Sequence, residues 1–182
     1  MTSPLIYGPQ IETERLILRP PMAEDFQNYC RFYADITTMT HLGGVVPAAV
    51  VWQTLRSRVG QWVLDGHSMF FIFLKDSGDF IGQAGPHYPY GWPGREVGWG
   101  LISTYWGRGY AYEAAKASMD YAFDVLGWDE VCHVIAPENR SSQALAQRLG
   151  SHNQGPTSLP HPHKEKRVDL WRQTKSQWRA HK

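Results

Sequence analysis

The residues with the clearest chemical pointers lie between Glu96 and Leu126, where a β-favouring run, Glu96-Val-Gly-Trp-Gly-Leu-Ile102, passes through Trp106-Gly-Arg-Gly109 into a helical pattern. Ala111, Ala114, Ala115, Ser118, Met119, Ala122, Val125 and Leu126 recur at three- and four-residue spacing, and Gly127 follows as a C-terminal cap. Gly107 and Gly109 therefore stand at a helix N-terminus, where unpaired N–H groups and the helix dipole favour an anion and no side chain blocks its approach. A dinucleotide fingerprint would want Gly or Ala where Tyr112 stands and an acidic residue at the end of the next strand, whereas Asp129 and Glu130 stand at its start. A nucleoside-triphosphate loop would want Gly-Lys-Ser/Thr, which is absent. On this stretch alone, an anion cradle and a glycine-assisted helix start remain the two readings.

Other side chains add acid–base and hydrogen-bonding chemistry. Glu96 offers a carboxylate at the head of the strand, and His87 and His133 offer imidazoles that titrate near neutral pH. Either imidazole is equally at home as a hydrogen-bonded core or solvated residue. In Pro137-Glu-Asn-Arg-Ser-Ser142, Asn139 suits a helix N-cap and Ser142 the first turn, so both have a structural role as well as a chemical one. Pro86 to Gly94 is dense in Pro, Gly and aromatic residues and reads as a loop.

Elements must exist to place these groups. After an opening that reads as disordered, Glu14 to Arg19 is a strand stopped by Pro20-Pro21. Phe26, Tyr29, Cys30 and Tyr33 give the buried face of a helix whose first turn holds Glu24 and Asp25. Pro47 opens a second helix carrying Val51, Trp52, Leu55, Val59, Trp62 and Val63 and ending near Gly66. Ser68–Leu74 and Phe80–Gly85 flank Asp76-Ser-Gly-Asp79 as a hairpin. Arg95–Ile102 is the fourth strand, and Asp129–Ala136, apolar on both faces, is a central fifth. The helix at Asn139 turns Ala144, Leu145 and Leu149 inward and stops at Gly150. Pro160–Lys166 reads as a loop before a last strand at Val168–Trp171, and residues after Thr174 read as frayed. This order, with mostly antiparallel hairpins and one central crossover, is α+β.

Composition bounds the function. With 18 basic against 17 acidic residues and a net charge of +1, neither nucleic acid nor an anionic membrane is an expected partner. The apolar run Met69–Leu74 is too short to span a bilayer, and no signal-like opening is present, which predicts a cytoplasmic protein. Cys30 and Cys132 lack metal or redox spacing, so no metal site is expected and both are read as buried thiols. The 182 residues suit a single domain, monomeric or homodimeric, with its core at about 11–172.

Taken together, in order, these motifs resemble the GNAT superfamily of acetyl-CoA-dependent N-acetyltransferases, in particular its ribosomal-protein-serine and -alanine N-terminal acetyltransferase branch. Glu14-Arg-Leu-Ile-Leu-Arg-Pro20 is similar to that branch's first strand, Glu96-Val-Gly-Trp99 to its fourth, and Trp106-Gly-Arg-Gly-Tyr-Ala111 to its pyrophosphate loop. Pro137-Glu-Asn-x-x-Ser142 is similar to the segment flanking its pantetheine arm. The chain departs at Trp106, where the family usually carries Gln or Arg, and at Ser151, where it usually carries Phe.

The resemblance implies a mixed sheet splayed between its fourth and fifth strands, with helices on both faces. It implies that backbone groups near Trp99, Gly100, Leu101 and Ile102 bind the pantetheine arm and polarise the thioester. Trp106, Gly107, Arg108, Gly109, Tyr110 and Ala111 would hold the pyrophosphate, and Asn139 a pantetheine amide. Glu96 would be the general base, acting through water, and Ser142 would return a proton to the cofactor sulfur. The acceptor would be a primary amine, either a protein N-terminus or a small molecule. Trp52, His87, Tyr88, Tyr90 and Trp92 would form its pocket, suited by their rings to an apolar or cationic amine. The alternative is a module that binds and senses acyl-CoA without turning it over.

Overall fold

The computed structural model describes residues 7–181, and the disorder expected of the opening lies outside them. The chain forms strands β1 (Ile11–Glu12), β2 (Leu16–Arg19), helices α1 (Phe26–Ala34), α2 (Ile36–Met39) and α3 (Ala48–Asp65), then β3 (Phe70–Leu74), β4 (Phe80–His87) and β5 (Glu96–Leu101). Helix α4 (Tyr110–Asp120) runs into a π turn and is followed by β6 (Glu130–Ile135), α5 (Arg140–Arg148), β7 (His152–Thr157), β8 (Val168–Thr174) and α6 (Lys175–His181). The strands make one eight-stranded sheet in the order β1-β2-β3-β4-β5-β6-β8-β7. All neighbours are antiparallel except β5 and β6, which the α4 crossover makes parallel.

Alternation along the strands sends apolar residues to both faces. Phe71 and Phe80 meet Tyr29 and Phe32 of α1 and Val51 and Leu55 of α3 on one side. Val97 and Val131 meet Ala115 and Met119 of α4, Leu149 after α5 and Trp178 of α6 on the other. The α+β sheet with helices on both faces is therefore the observed architecture. None of the described helices is long and apolar enough to cross a membrane.

Four local readings change. Residues after Thr174 are not frayed: α6 docks through Trp178, which is 2% exposed. On α5, Ala146 joins Leu145 and Leu149 on the inward side, while Ala144 is exposed. Val125 is exposed because the helix loosens into the π turn over Tyr121–Val125. Cys30 is only half-buried, unlike Cys132.

The junction of β5 and β6 positions everything that follows. Their pairing registers at Glu96 and Cys132, where the Cys132 N–H donates to the Arg95 carbonyl at 2.8 Å. One rung further a parallel ladder would join the Val134 N–H to the Val97 carbonyl. Instead the Val134 N–H donates to Glu96 Oε1 at 3.1 Å, and the Val97 carbonyl faces His133 Nδ1 at 2.6 Å. Buried backbone groups must find partners, and here two side chains supply them, so the strands separate without leaving either group unpaired. The sheet splays from this point.

Candidate active site

Glu96 sits at the root of the splay. Its side chain lies on the α1–α3 face and is 8% exposed, with Oε1 accepting from Val134 and Oε2 accepting from the Trp92 indole N–H at 2.6 Å. Burial raises its pKa, the two hydrogen bonds and the charge of Arg58 pull it back, and it settles at about 7. A carboxylate near neutrality both takes and releases a proton at physiological pH.

The two imidazoles are differently placed. His133 is fully buried, and burial holds its pKa down at about 4. A carbonyl only accepts, so Nδ1 carries the proton toward Val97, and Nε2 accepts from the Ser151 hydroxyl at 3.0 Å. Both of its nitrogens are occupied, and its role is to hold the splay. His87 is held well below the usual range by burial and then by Arg58, whose Nη1 lies 2.8 Å from His87 Nδ1 and donates to it. Its ring stands edge-on to Trp92, 5.0 Å between centroids.

A cavity of about 1340 Å³ opens in front of Glu96. His87, Tyr90, Trp92, Trp99, Asn139 and Ser142 all line it, whereas Tyr88 and Trp52 do not. Trp52 packs its ring edge-on against Phe26 at 5.1 Å. The sequence reading missed two walls. One is the side of α3 that carries Gln53, Ser57, Arg58 and Gln61. The other is the strap between β7 and β8, where Leu159 to His163 and Lys166 to Val168 close the cavity. The strap touches both sides of the mouth, since a Cβ on Gly91 would meet Pro160 at 3.4 Å and one on Gly43 would meet Lys166 Nζ at 3.3 Å.

Residues of the splay divide by parity. The Ile102 N–H donates to the Ile81 carbonyl, so even-numbered backbone groups of β5 pair with β4 and odd-numbered ones face β6. Gly100 is thus in the ladder, and a Cβ on it would meet Leu42 at 3.0 Å and Phe32 at 3.2 Å. The Leu101 carbonyl faces the other way but accepts from Thr38 Oγ1 and the Trp106 indole. Among the described residues this leaves the N–H and C=O of Trp99 and the N–H of Leu101 open to the gap. The Trp99 side chain bridges it, donating to Ser142 Oγ at 3.3 Å.

At the far end of β5, Gly107 (φ 74°) and Gly109 (φ 81°) adopt the left-handed conformation, and a Cβ on Gly107 would enter open space. Gly109 is the N-cap of α4, so the first N–H groups of the helix, from Tyr110 and Ala111 onward, point outward beside Arg108. Glu113 in the first turn fixes this end by accepting from Thr13 Oγ1, the Arg15 N–H and Arg15 Nε at 2.6–2.8 Å, and Arg15 Nη1 also holds the Arg108 carbonyl. Five residue steps of β5 separate Glu96 from Leu101, about 17 Å of extended chain. The anion cradle lies beyond one end of this strand and the carboxylate at the other. On α5, Asn139 Oδ1 caps the helix by accepting from the Ser142 N–H at 3.1 Å, which leaves its Nδ2 to donate.

The family model described as an acetyltransferase (GNAT) domain matches residues 15–152. The chain belongs to the GNAT acetyltransferase family. It is 30% identical over 147 residues to an uncharacterized N-acetyltransferase, p20, of Bacillus licheniformis, covering 79% of this chain and 82% of the relative. A crystal structure of an acetyltransferase from Agrobacterium tumefaciens superposes with a TM-score of 0.81 at 33% identity, covering 92% of this chain and 95% of that one. The ribosomal alpha-N-protein acetyltransferase RimL, solved in complex with coenzyme A, shares the fold with a TM-score of 0.75 at 13% identity, over 91% of this chain and 98% of its own. A GNAT acetyltransferase catalyses acyl transfer, and acetyl-CoA is the family's donor.

Proposed function

We propose that this GNAT acetyltransferase transfers the acetyl group of acetyl-CoA to a primary amine, a protein N-terminus or a small molecule, by direct attack in a ternary complex. The observation that carries this reading is the buried Glu96 carboxylate, its pKa at about 7, standing in the wall of an open cavity at the root of the splay. Attack on a thioester needs a neutral amine, a stabilised oxyanion and a proton for the leaving thiolate.

Glu96 accepts the proton of the incoming amine, directly or through water. The Trp99 N–H, open to the gap, donates to the thioester oxygen as charge develops on it. Ser142 Oγ accepts from the Trp99 indole, so its own hydrogen is free to turn toward the sulfur. The N–H groups at the start of α4 receive the pyrophosphate, and Asn139 Nδ2 serves a pantetheine carbonyl. The test is thiol release from acetyl-CoA across a panel of amines and N-terminal peptides. Release with at least one acceptor is expected; acetyl-CoA binding with no release for any acceptor would overturn transfer and leave sensing.

A further inference from the structure

Arg58 occupies an unusual position on α3. Val51, Leu55 and Trp62 form the buried stripe of that helix, and residue 58 falls on the same stripe at the 4-3-4 spacing. A cation there is costly unless paired. Yet among the described residues Arg58 has only neutral acceptors, Gln61 Oε1 at 3.3 Å, His87 Nδ1 at 2.8 Å and the Tyr29 hydroxyl, and its Nε is buried with no partner among them. No carboxylate of the described residues lies within ion-pair distance of it, nor of Lys166 or Arg167 across the cavity. The carboxylates lining the cavity are Glu96, engaged by Trp92 and Val134, and Glu138 at its α5 end.

The cavity therefore sets one proton acceptor, Glu96, near a guanidinium, Arg58, that has no ion-pair partner among the described residues and whose charge is felt at Glu96. A plain ammonium entering it meets Arg58 as a like charge. An amine that brings its own anion meets a complementary pair.

We propose that the acceptor is an amine carrying an anionic oxygen group, a carboxylate or a phosphate, which Arg58 receives while Glu96 faces the amine. This rests on the acetyl-transfer reading above. Lys166 and Arg167 on the strap add positive charge over the mouth and hold the anion from the opposite side. The aromatic walls read from the sequence suggest an apolar or cationic amine; the unpaired Arg58 reverses the charge of the expected acceptor.

The experiment compares kcat/KM for matched pairs: an ω-amino carboxylate and its amide, 2-aminoethyl phosphate and ethanolamine, and dipeptides with Asp or Asn after the N-terminal residue. The charged member is expected to be preferred by about 10- to 100-fold, the scale of a hydrogen bond to a charged group. The pair that shows the larger ratio distinguishes carboxylate from phosphate. In Arg58→Gln the ratio should fall toward one, and Arg58→Lys should restore part of it. Equal or better turnover of the neutral members by the unaltered protein, or a ratio that survives Arg58→Gln, overturns the proposal while leaving acetyl transfer intact. If no amine releases thiol, calorimetry of the coenzyme-A-loaded protein with an N-acetylated carboxylate and its amide decides it separately. Selective binding of the carboxylate supports the anion site, and equal or absent binding of both rejects it.

Discussion

The two ends of β5 are assembled in opposite ways. At its C-terminal end, the groups proposed to face coenzyme A come mainly from one unbroken stretch, Trp99 to Ala111, and would act through backbone N–H groups set mainly by local conformation, with Arg15 and Thr13 bracing the start of α4. At its N-terminal end, Glu96 is held by Trp92 from the β4–β5 loop and Val134 from β6 and shares its cavity with Arg58 from α3 and the strap before β8, segments brought together only by the fold. The contrast matches the ligands proposed for the two ends. A cofactor that is the same for every member of a family is served by a self-contained loop, whereas an acceptor amine is selected by side chains gathered from several loops on a rigid sheet.

Variants at the two ends should therefore separate affinity for the donor from the chemistry. The largest effect is expected from Glu96→Gln, with kcat down about 100- to 10,000-fold and acetyl-CoA affinity retained by calorimetry. The unaltered rate should rise with pH through about 7 as the carboxylate deprotonates. A pH–rate profile that Glu96→Gln leaves unchanged would remove Glu96 as the base.

A second test uses folding stability. Glu96 has a folded pKa raised from 4.5 to about 7, so between those values the folded state holds a proton that the unfolded state has lost, and stability falls as pH rises. His133 is lowered from 6.5 to about 4, so in that window the unfolded state holds the extra proton and stability rises with pH. The two slopes oppose each other where they overlap. His87, also held below its ordinary value, adds to the His133 slope, so the stability of the unaltered protein should still rise with pH across the overlap, and in Glu96→Gln urea midpoints should rise more steeply, by about 3 kcal/mol between pH 4.5 and 6.5. A flat curve in that variant would show that neither His133 nor His87 is held neutral.

Smaller effects follow at the cofactor end and in the support of the base. Gly109→Val forces a β-branched residue into a left-handed conformation beside Arg15 and crowds the anion cradle, and should weaken acetyl-CoA binding by at least about 10-fold without moving the pH–rate midpoint. Normal affinity in both Gly107→Val and Gly109→Val would sink the loop assignment. Trp92→Phe removes a hydrogen bond that lowers the Glu96 pKa, so the midpoint should shift upward and the rate at pH 7 fall about two- to fivefold. An unmoved midpoint would mean that the indole does not support the carboxylate.

Legibility in the sequence followed the same line. The glycine loop, the Asn139 cap and the central β6 were readable because each rests on neighbours within a few residues. Strand β7, His-Asn-Gln-Gly-Pro-Thr, was not, since it is a polar edge strand with a bulge and carries no apolar alternation. Helix α6 hid for a similar reason: a single buried tryptophan among polar residues gives no period. Arg58 left a usable trace, a charge on an apolar stripe. The strap left only its density of Pro, His and Lys, and its place over the cavity depends on β7 pairing beside β8.

The single pairing position between β5 and β6 also has a mechanical meaning. It divides the sheet into a plate of five strands and a plate of three, joined on the strand level at Glu96 and Cys132. In any small rotation of one plate against the other, displacement grows with distance from that joint. The open end of the splay, where a pantetheine arm would lie, takes the largest movement, and the carboxylate at the joint takes the least. A fulcrum placed at Glu96 lets the gap change width while its carboxylate keeps its address.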